Sequence, residues 1–279
     1  MNDHGTRQGH RADEQKRQHN GRVLLAEDDA INQKVIGHQL STLGVSVDMA
    51  SDGLEALALW RAGQATQRYV LLLTDLRMPG MDGYTLASTI RSEELAGARI
   101  PIVALSGSAL RGDIDRYRFA GMDDFLTKPV RTEQLGDMIE RWFPSDEASA
   151  TAPSDPKDLE NPLSRDVELD YVYDDLALEQ LAGDDATLRA DFRNMFVTSA
   201  YSSMEDMRRA ANRGDCASLA ELTRRLQSSA QTIGAVSLAA CCDGLLGDLA
   251  CGRAEVHHRV ALIEKALGHA TTRLSGRSF

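Results

Sequence analysis

Tyr69-Val70-Leu71-Leu72-Leu73-Thr74-Asp75 is an apolar run that ends in an acid. A run without polar alternation is what a strand covered on both faces requires, and such strands belong to parallel sheets. The pattern recurs on either side of it. Val23-Leu24-Leu25-Ala26 leads into Glu27 and Asp28, Ile100-Pro101-Ile102-Val103-Ala104-Leu105 ends at Ser106, and Asp124-Phe125-Leu126-Thr127 ends at Lys128. Val45-Ser46-Val47-Asp48-Met49-Ala50 alternates as a further strand. Helical patterns lie between them. Val35, Ile36, Leu40 and Leu43 precede Gly44, Leu54, Leu57 and Ala58 mark one face of a helix over Gly53 to Trp60, and Thr132 to Trp142 closes the series. Strands alternating with helices predict an α/β doubly wound, five-stranded parallel sheet over residues 21–143.

Beyond it the composition changes. Residues 144–165 are rich in Ser, Ala, Asp, Glu and Pro, and Pro153, Pro156 and Pro162 prevent a helix, so they read as a linker. Residues 166–279 show helical periodicity only. Asp184-Asp185 caps a long helix carrying Leu188, Phe192, Met195, Phe196, Met204 and Met207. Gly214 ends that helix, and Asp215 caps the next, which breaks near Gly234. Val236 to Leu249 and Val256 to Leu274 follow, and the short loops predict an all-α antiparallel helical bundle. Residues 1–20, polar and without large apolar side chains, read as a disordered leader.

A net charge of −11 over 279 residues argues against a nucleic-acid-binding face. No apolar run approaches the roughly 18–20 residues that span a bilayer, and the amino terminus lacks the apolar centre of a secretory signal. The expected setting is cytoplasmic, without a membrane. Cys216, Cys241, Cys242 and Cys251 form no CxxC pair and read as small apolar fillers of a reduced helical core.

In a parallel sheet the carboxyl ends of the strands gather in one crevice. Glu27, Asp28 and Asp75 therefore converge, and three like charges call for a divalent cation. Oxygen-only ligands with room for water and phosphate suit Mg²⁺. Ser106 and Lys128 reach the same rim, where a hydroxyl and an ammonium would hold phosphoryl oxygens.

Glu27-Asp28, Asp75, Ser106 and Lys128-Pro129 resemble the receiver domains of two-component signalling, over about residues 21–143. Met78-Pro79-Gly80-Met81-Asp82-Gly83 and Gly121-Met122-Asp123-Asp124-Phe125-Leu126-Thr127-Lys128-Pro129 stand in the family's order and spacing, and Ala30-Ile31-Asn32-Gln33 is similar to receivers attached to hybrid sensor kinases. The resemblance implies a flavodoxin-like fold, with Asp75 as the phosphoacceptor. Asp28 would ligate Mg²⁺ directly, Glu27 through water, and the Arg77 backbone carbonyl would be a further ligand. Lys128 would contact the phosphate, and Ser106 with Phe125 would be the switch pair. Asp29 reads as a solvated helix N-cap. The expected protein is a phosphoacceptor switch of bacterial signalling and no other kind of enzyme, taking phosphate from a donor and hydrolysing its own. Its phosphodonor would be a sensor histidine kinase or a phosphotransfer protein.

The second half resembles a histidine-phosphotransfer domain. Arg224-Arg225-Leu226-Gln227-Ser228-Ser229-Ala230-Gln231-Thr232-Ile233-Gly234 fits the family's frame and keeps its apolar and small positions. The chemical positions differ. Arg224 stands for the histidine, Gln227 for a lysine and Ser228 for a glycine, and arginine carries no phosphoryl group. His257, His258 and His269 lie outside the motif and read as surface residues. The domain is therefore expected to bind or regulate rather than relay. In one form of that reading Arg224 pairs with the pocket of Glu27, Asp28 and Asp75, in this chain or in a partner receiver.

Two alternatives stay open. Leu219 to Leu226 followed by Ser228-Ser229 and Thr232-Ile233 faintly resembles a helix-turn-helix, with Arg224 and Arg225 on nucleic-acid phosphate, although the next helix carries Asp243 and Asp248. The chain also reads as the relay end of a hybrid histidine kinase. No GGDEF-like run, nucleotide-binding glycine loop or kinase core is present, so phosphate comes from elsewhere.

Overall fold

The five expected strands form one sheet in the order β2-β1-β3-β4-β5. The strands are β1 (Arg22–Ala26), β2 (Ser46–Ala50), β3 (Tyr69–Asp75), β4 (Ile102–Ser106) and β5 (Asp124–Thr127). All neighbours are parallel, with Leu25 level with Leu73 and Asp75 level with Leu105. This computed structural model describes residues 21–65, 68–95, 97–107, 116–143, 173–174, 176–183, 185–252 and 256–274. The expected leader over 1–20 and the expected linker over 144–165 lie outside the described residues.

The inner strands β1, β3 and β4 carry no polar alternation because helices cover both faces of the sheet there. Val23, Leu25, Leu71, Leu73, Val103 and Leu105 point to one side, where they meet α1 (Ala30–Thr42) and α4 (Thr132–Trp142). Leu24, Ala26, Leu72, Ile102 and Ala104 point to the other, against α2 (Gly53–Gly63) and α3 (Gly83–Glu93). All of these strand residues are fully buried. Asp29, Asp52 and Asp82 cap α1, α2 and α3, each accepting first-turn amides.

The buried face of α2 differs from the expected one. Gly53, Ala56, Leu57 and Trp60 point inward, whereas Leu54 is 55% exposed and Ala58 is also exposed. The small residues set this rotation, since a Cβ on Gly53 would lie 2.4 Å from the Met81 carbonyl oxygen.

The second half is helical: α5 (Ala177–Ala182), α6 (Ala186–Arg213), α7 (Cys216–Ile233), α8 (Val236–Ala250) and α9 (Val256–Leu274). Gly214 and Gly234, in the left-handed region at φ of 66° and 86°, turn the chain between α6, α7 and α8. Consecutive helices pack side by side, and α9 returns against α6. Their core contains Phe192, Phe196, Met204, Leu226, Leu238, Leu245, Ile263 and Leu267. Cys241 and Cys242 belong to it, as expected of fillers, but Cys216 and Cys251 are exposed because they stand at helix ends. Among the described residues no helix is long and apolar enough to cross a membrane.

The helix-turn-helix alternative does not match the geometry. Ser228, Ser229 and Thr232 lie inside the continuous α7 rather than in a turn, and they face the sheet domain.

Candidate functional site

The strand order reverses between β1 and β3, and the carboxyl ends of these strands open into one crevice. Glu27 leaves β1 with its amide donating to the Ala50 carbonyl at 3.0 Å, and only 1% of the residue is exposed. Asp75 ends β3. Its Oδ1 accepts the Arg77 amide at 3.0 Å, which curls the following loop back over the strand end. Gly83 closes this loop, and a Cβ there would meet the Asp75 carbonyl oxygen at 2.2 Å, so only glycine fits.

Carboxylate oxygens of Glu27, Asp28 and Asp75 lie within 4.8 Å of one another. Lys128 bridges two of them, with Nζ 2.5 Å from Asp75 Oδ2 and 2.7 Å from Glu27 Oε2. Its backbone amide is held by the Ser106 carbonyl at 2.7 Å, so β4 sets its place. Lys128 faces two of the three carboxylates, and the burial and crowding of the acids show in their acidity. Burial pushes the Glu27 carboxyl well up against the opposing pull of Lys128, with Asp75 adding to the rise. Burial pushes Asp28 up to about 6, Arg225 opposing it and Asp75 adding to it. Lys128 is pulled down by burial, but Glu27 and Asp75 more than offset this and leave it raised and protonated. An all-oxygen set of this charge fits a hard divalent cation. Asp28 Oδ2 and Glu27 Oε2, both buried without an aligned hydrogen bond, give the fit a local reason.

Ser106, 5% exposed, shares a hydrogen bond of 3.0 Å with the Tyr117 hydroxyl. The Tyr117 ring stacks on Tyr84 at 6.0 Å and meets Phe125 at 5.9 Å. The expected switch residues are thus joined through Tyr117, which sequence reasoning passed over because a lone tyrosine carries no motif.

The helical bundle closes the crevice. Arg225 Nε lies 2.7 Å from Asp28 Oδ2, an ion pair by distance whose angle does not meet hydrogen-bond geometry. Arg224 does not make the expected contact. It pairs with Glu221 on its own helix at 3.0 Å, because adjacent positions on a helix point about 100° apart. Gln227 bonds Asp243 on α8, and Ser228 Oγ accepts from Asn32 Nδ2 at 2.8 Å. Asn32 also donates to Glu27 Oε1 at 3.2 Å and accepts from Thr232 Oγ1 at 2.6 Å. Asp29 is a cap, as expected, but a buried one, because its second oxygen accepts Ser229 Oγ at 2.5 Å. Ile31 and Val35, 1% and 2% exposed, insert into the core of the bundle. The His38 ring meets Phe192 edge-on at 6.4 Å. A cavity of about 610 Å³ remains between the halves, with Asp75, Ser106 and Lys128 on one side and Arg224, Gln227 and Ser228 on the other. His257, His258 and His269 are exposed on α9, and none lines this cavity.

Residues 23–140 match the family model described as response regulator receiver domain. The sheet half is a receiver domain. It is of the kind found in hybrid histidine kinase proteins of two-component phosphorelays, and its relatives come from bacteria and eukaryotes. The hybrid signal transduction protein dokA of Dictyostelium discoideum is 38% identical over 125 residues, 45% of this chain and 7% of that protein. The sensor histidine kinase GacS of Pseudomonas protegens is 30% identical over 223 residues, 79% of this chain and 23% of that protein. This chain therefore spans a small part of the length of these relatives. Among solved structures, the receiver domain of sensor histidine kinase PA1611 from Pseudomonas aeruginosa, described with a magnesium ion coordinated in the active site cleft, is 40% identical. That match covers 44% of this chain and 97% of that one, with a TM-score of 0.39.

Proposed function

We propose that the protein is a cytoplasmic two-component response regulator whose receiver accepts a phosphoryl group on Asp75, and whose helical half is a phosphotransfer-like bundle that regulates or binds without relaying. The observation that carries this reading is the convergence of Glu27, Asp28 and Asp75 with the Lys128 ammonium bridging Glu27 and Asp75. Glu27, Asp28, Asp75 and the Arg77 carbonyl would hold Mg²⁺, which when bound supplies neutralising charge for the carboxylates and the incoming phosphoryl group.

A carboxylate oxygen of Asp75 attacks the phosphorus of a phosphohistidine or an acyl phosphate. The new O–P bond forms as the donor's P–N or P–O bond breaks, and the donor leaves with that electron pair. Lys128, already on Asp75, stabilises charge on the phosphoryl oxygens without moving far. Ser106 sits at the end of β4, where its hydroxyl can leave Tyr117 for a phosphoryl oxygen, and Phe125 packs against the same tyrosine. On this reading the receiver itself takes the phosphoryl group from its donor and hydrolyses its own phosphoaspartate, and so works as a switch.

The helical half supports the second part of the reading. Arg224, Gln227 and Ser228 occupy the wall opposite Asp75, where a phosphotransfer domain would present its histidine. A match over 79% of the chain also runs well beyond the receiver. A relay would need a histidine on that wall, and the histidines of α9 are elsewhere.

The test is phosphoryl uptake by the full chain from a labelled small acyl phosphate, with and without Mg²⁺. Uptake that needs Mg²⁺ and disappears in Asp75→Asn is expected. Uptake that survives Asp75→Asn would overturn the reading.

A further inference from the structure

The bundle does more than cover the crevice. One of its cations sits on a carboxylate that the proposed Mg²⁺ site needs. Arg225 Nε is 2.7 Å from Asp28 Oδ2, and the Asp28 side chain is only 5% exposed. Lys128 engages Glu27 and Asp75, so among the described residues Arg225 is the cation placed on Asp28. A guanidinium there and a divalent ion on the same oxygen set exclude each other by charge and by space.

The arginine is held in place by a docked surface. From the receiver come Asp29, Ile31, Asn32 and Val35 on one face of α1. Ser228, Ser229 and Thr232 on α7 meet the polar pair, while Ile31 and Val35 enter the apolar core of the bundle. Lys34 adds a longer ion pair to Asp191 at 3.9 Å. Asn32 joins both systems, bonding Glu27 in the site and two hydroxyls of α7.

We propose that the helical bundle and the divalent cation compete for Asp28, so that docking holds the receiver in a closed, cation-poor form and cation binding loosens the bundle. This inference rests on the Mg²⁺ site proposed above. It assigns Arg225, one residue along from the position where the phosphotransfer resemblance places histidine, as the internal counter-ion. Coupling between sites is reciprocal, so the factor by which docking weakens Mg²⁺ binding is the factor by which Mg²⁺ weakens docking.

The test uses the full chain and Mg²⁺ alone. Calorimetric titrations compare the wild type with Arg225→Ala, Arg225→Gln and Arg224→Ala. The last removes the same charge from the same cavity without touching the Asp28 contact. Both Arg225 variants should bind Mg²⁺ about tenfold more tightly, at the low end of the roughly 5- to 150-fold span of couplings between sites. Arg224→Ala should change the affinity much less. In the wild type, saturating Mg²⁺ should speed hydrogen exchange along the facing helices α1 and α7, and this response should be lost in Arg225→Ala. Equal Mg²⁺ affinity in wild type and Arg225→Ala, or equal shifts in the Arg224 and Arg225 variants, would overturn the competition while leaving the cation site intact. Absence of Mg²⁺ binding in every variant would overturn both the site and the inference.

Discussion

Trimming Ile31 to alanine should release the bundle while leaving the receiver folded. Ile31 lies on α1 of the receiver, yet its side chain is 1% exposed within the core of the helical bundle. The substitution removes three carbons from that contact. At about 0.8 kcal/mol for each buried methylene, the docked state loses roughly 2.4 kcal/mol. A factor of ten corresponds to about 1.4 kcal/mol, so the ratio of docked to undocked chain should fall by roughly fiftyfold. Small-angle X-ray scattering reads this as a larger radius of gyration in Ile31→Ala, and circular dichroism should show the helix content unchanged. If scattering stays at the wild-type profile while the receiver's own unfolding midpoint drops, Ile31 belongs to the receiver core and the docking argument is wrong.

Other consequences are as direct. Lys128→Met should lower phosphoryl uptake by about 10²- to 10³-fold, the usual size when one preorganised charge-stabilising group is lost, and rapid-mixing kinetics with an acyl phosphate would measure it. Gly83→Ala should displace the end of β3, because its Cβ would meet the Asp75 carbonyl oxygen at 2.2 Å; a lower urea midpoint together with reduced uptake is the expected pair of readings. Phe192→Ala should cost the bundle about 3–5 kcal/mol, visible in calorimetry as loss of one transition with the receiver's transition kept. Burial raises the carboxyls of both Glu27 and Asp28, the latter to about 6, and a protonated carboxyl does not ligate, so Mg²⁺ affinity should fall as pH drops, over a range that extends down to about 6. Binding at that pH should release protons, read from calorimetry in buffers of different ionisation enthalpy.

The receiver half was legible because its strands announce themselves. Tyr69 to Asp75 has no polar alternation, and a strand covered by helices on both faces needs none. The acids, Ser106 and Lys128 end such strands, so the topology alone brings them to one edge. The helices of the second half were legible from caps, with Asp185, Gly214, Asp215 and Gly234 where the chain turns. The contact between the halves was not. Asp29 meets Ser229 and Asn32 meets Thr232 across 200 positions of sequence, and no local pattern pairs residues so far apart. Register along α7 was equally hidden. Motif alignment singles out Arg224, but the rotation of the docked helix turns Arg225 to the acids and leaves Arg224 on Glu221. On α2 the apolar pattern pointed to Leu54 and Ala58, whereas the close approach of Met81 to Gly53 turns that face outward.

The most direct test of the account is the chemical nature of the phosphate that the full chain carries after incubation with a phosphohistidine protein as donor. If the helical half does not relay, the chain carries one label, labile in base and stable to brief acid treatment, on the peptide that contains Asp75. A label stable in base and lost in acid, on a peptide containing His257, His258 or His269, would show that the helical half relays phosphate and would contradict it.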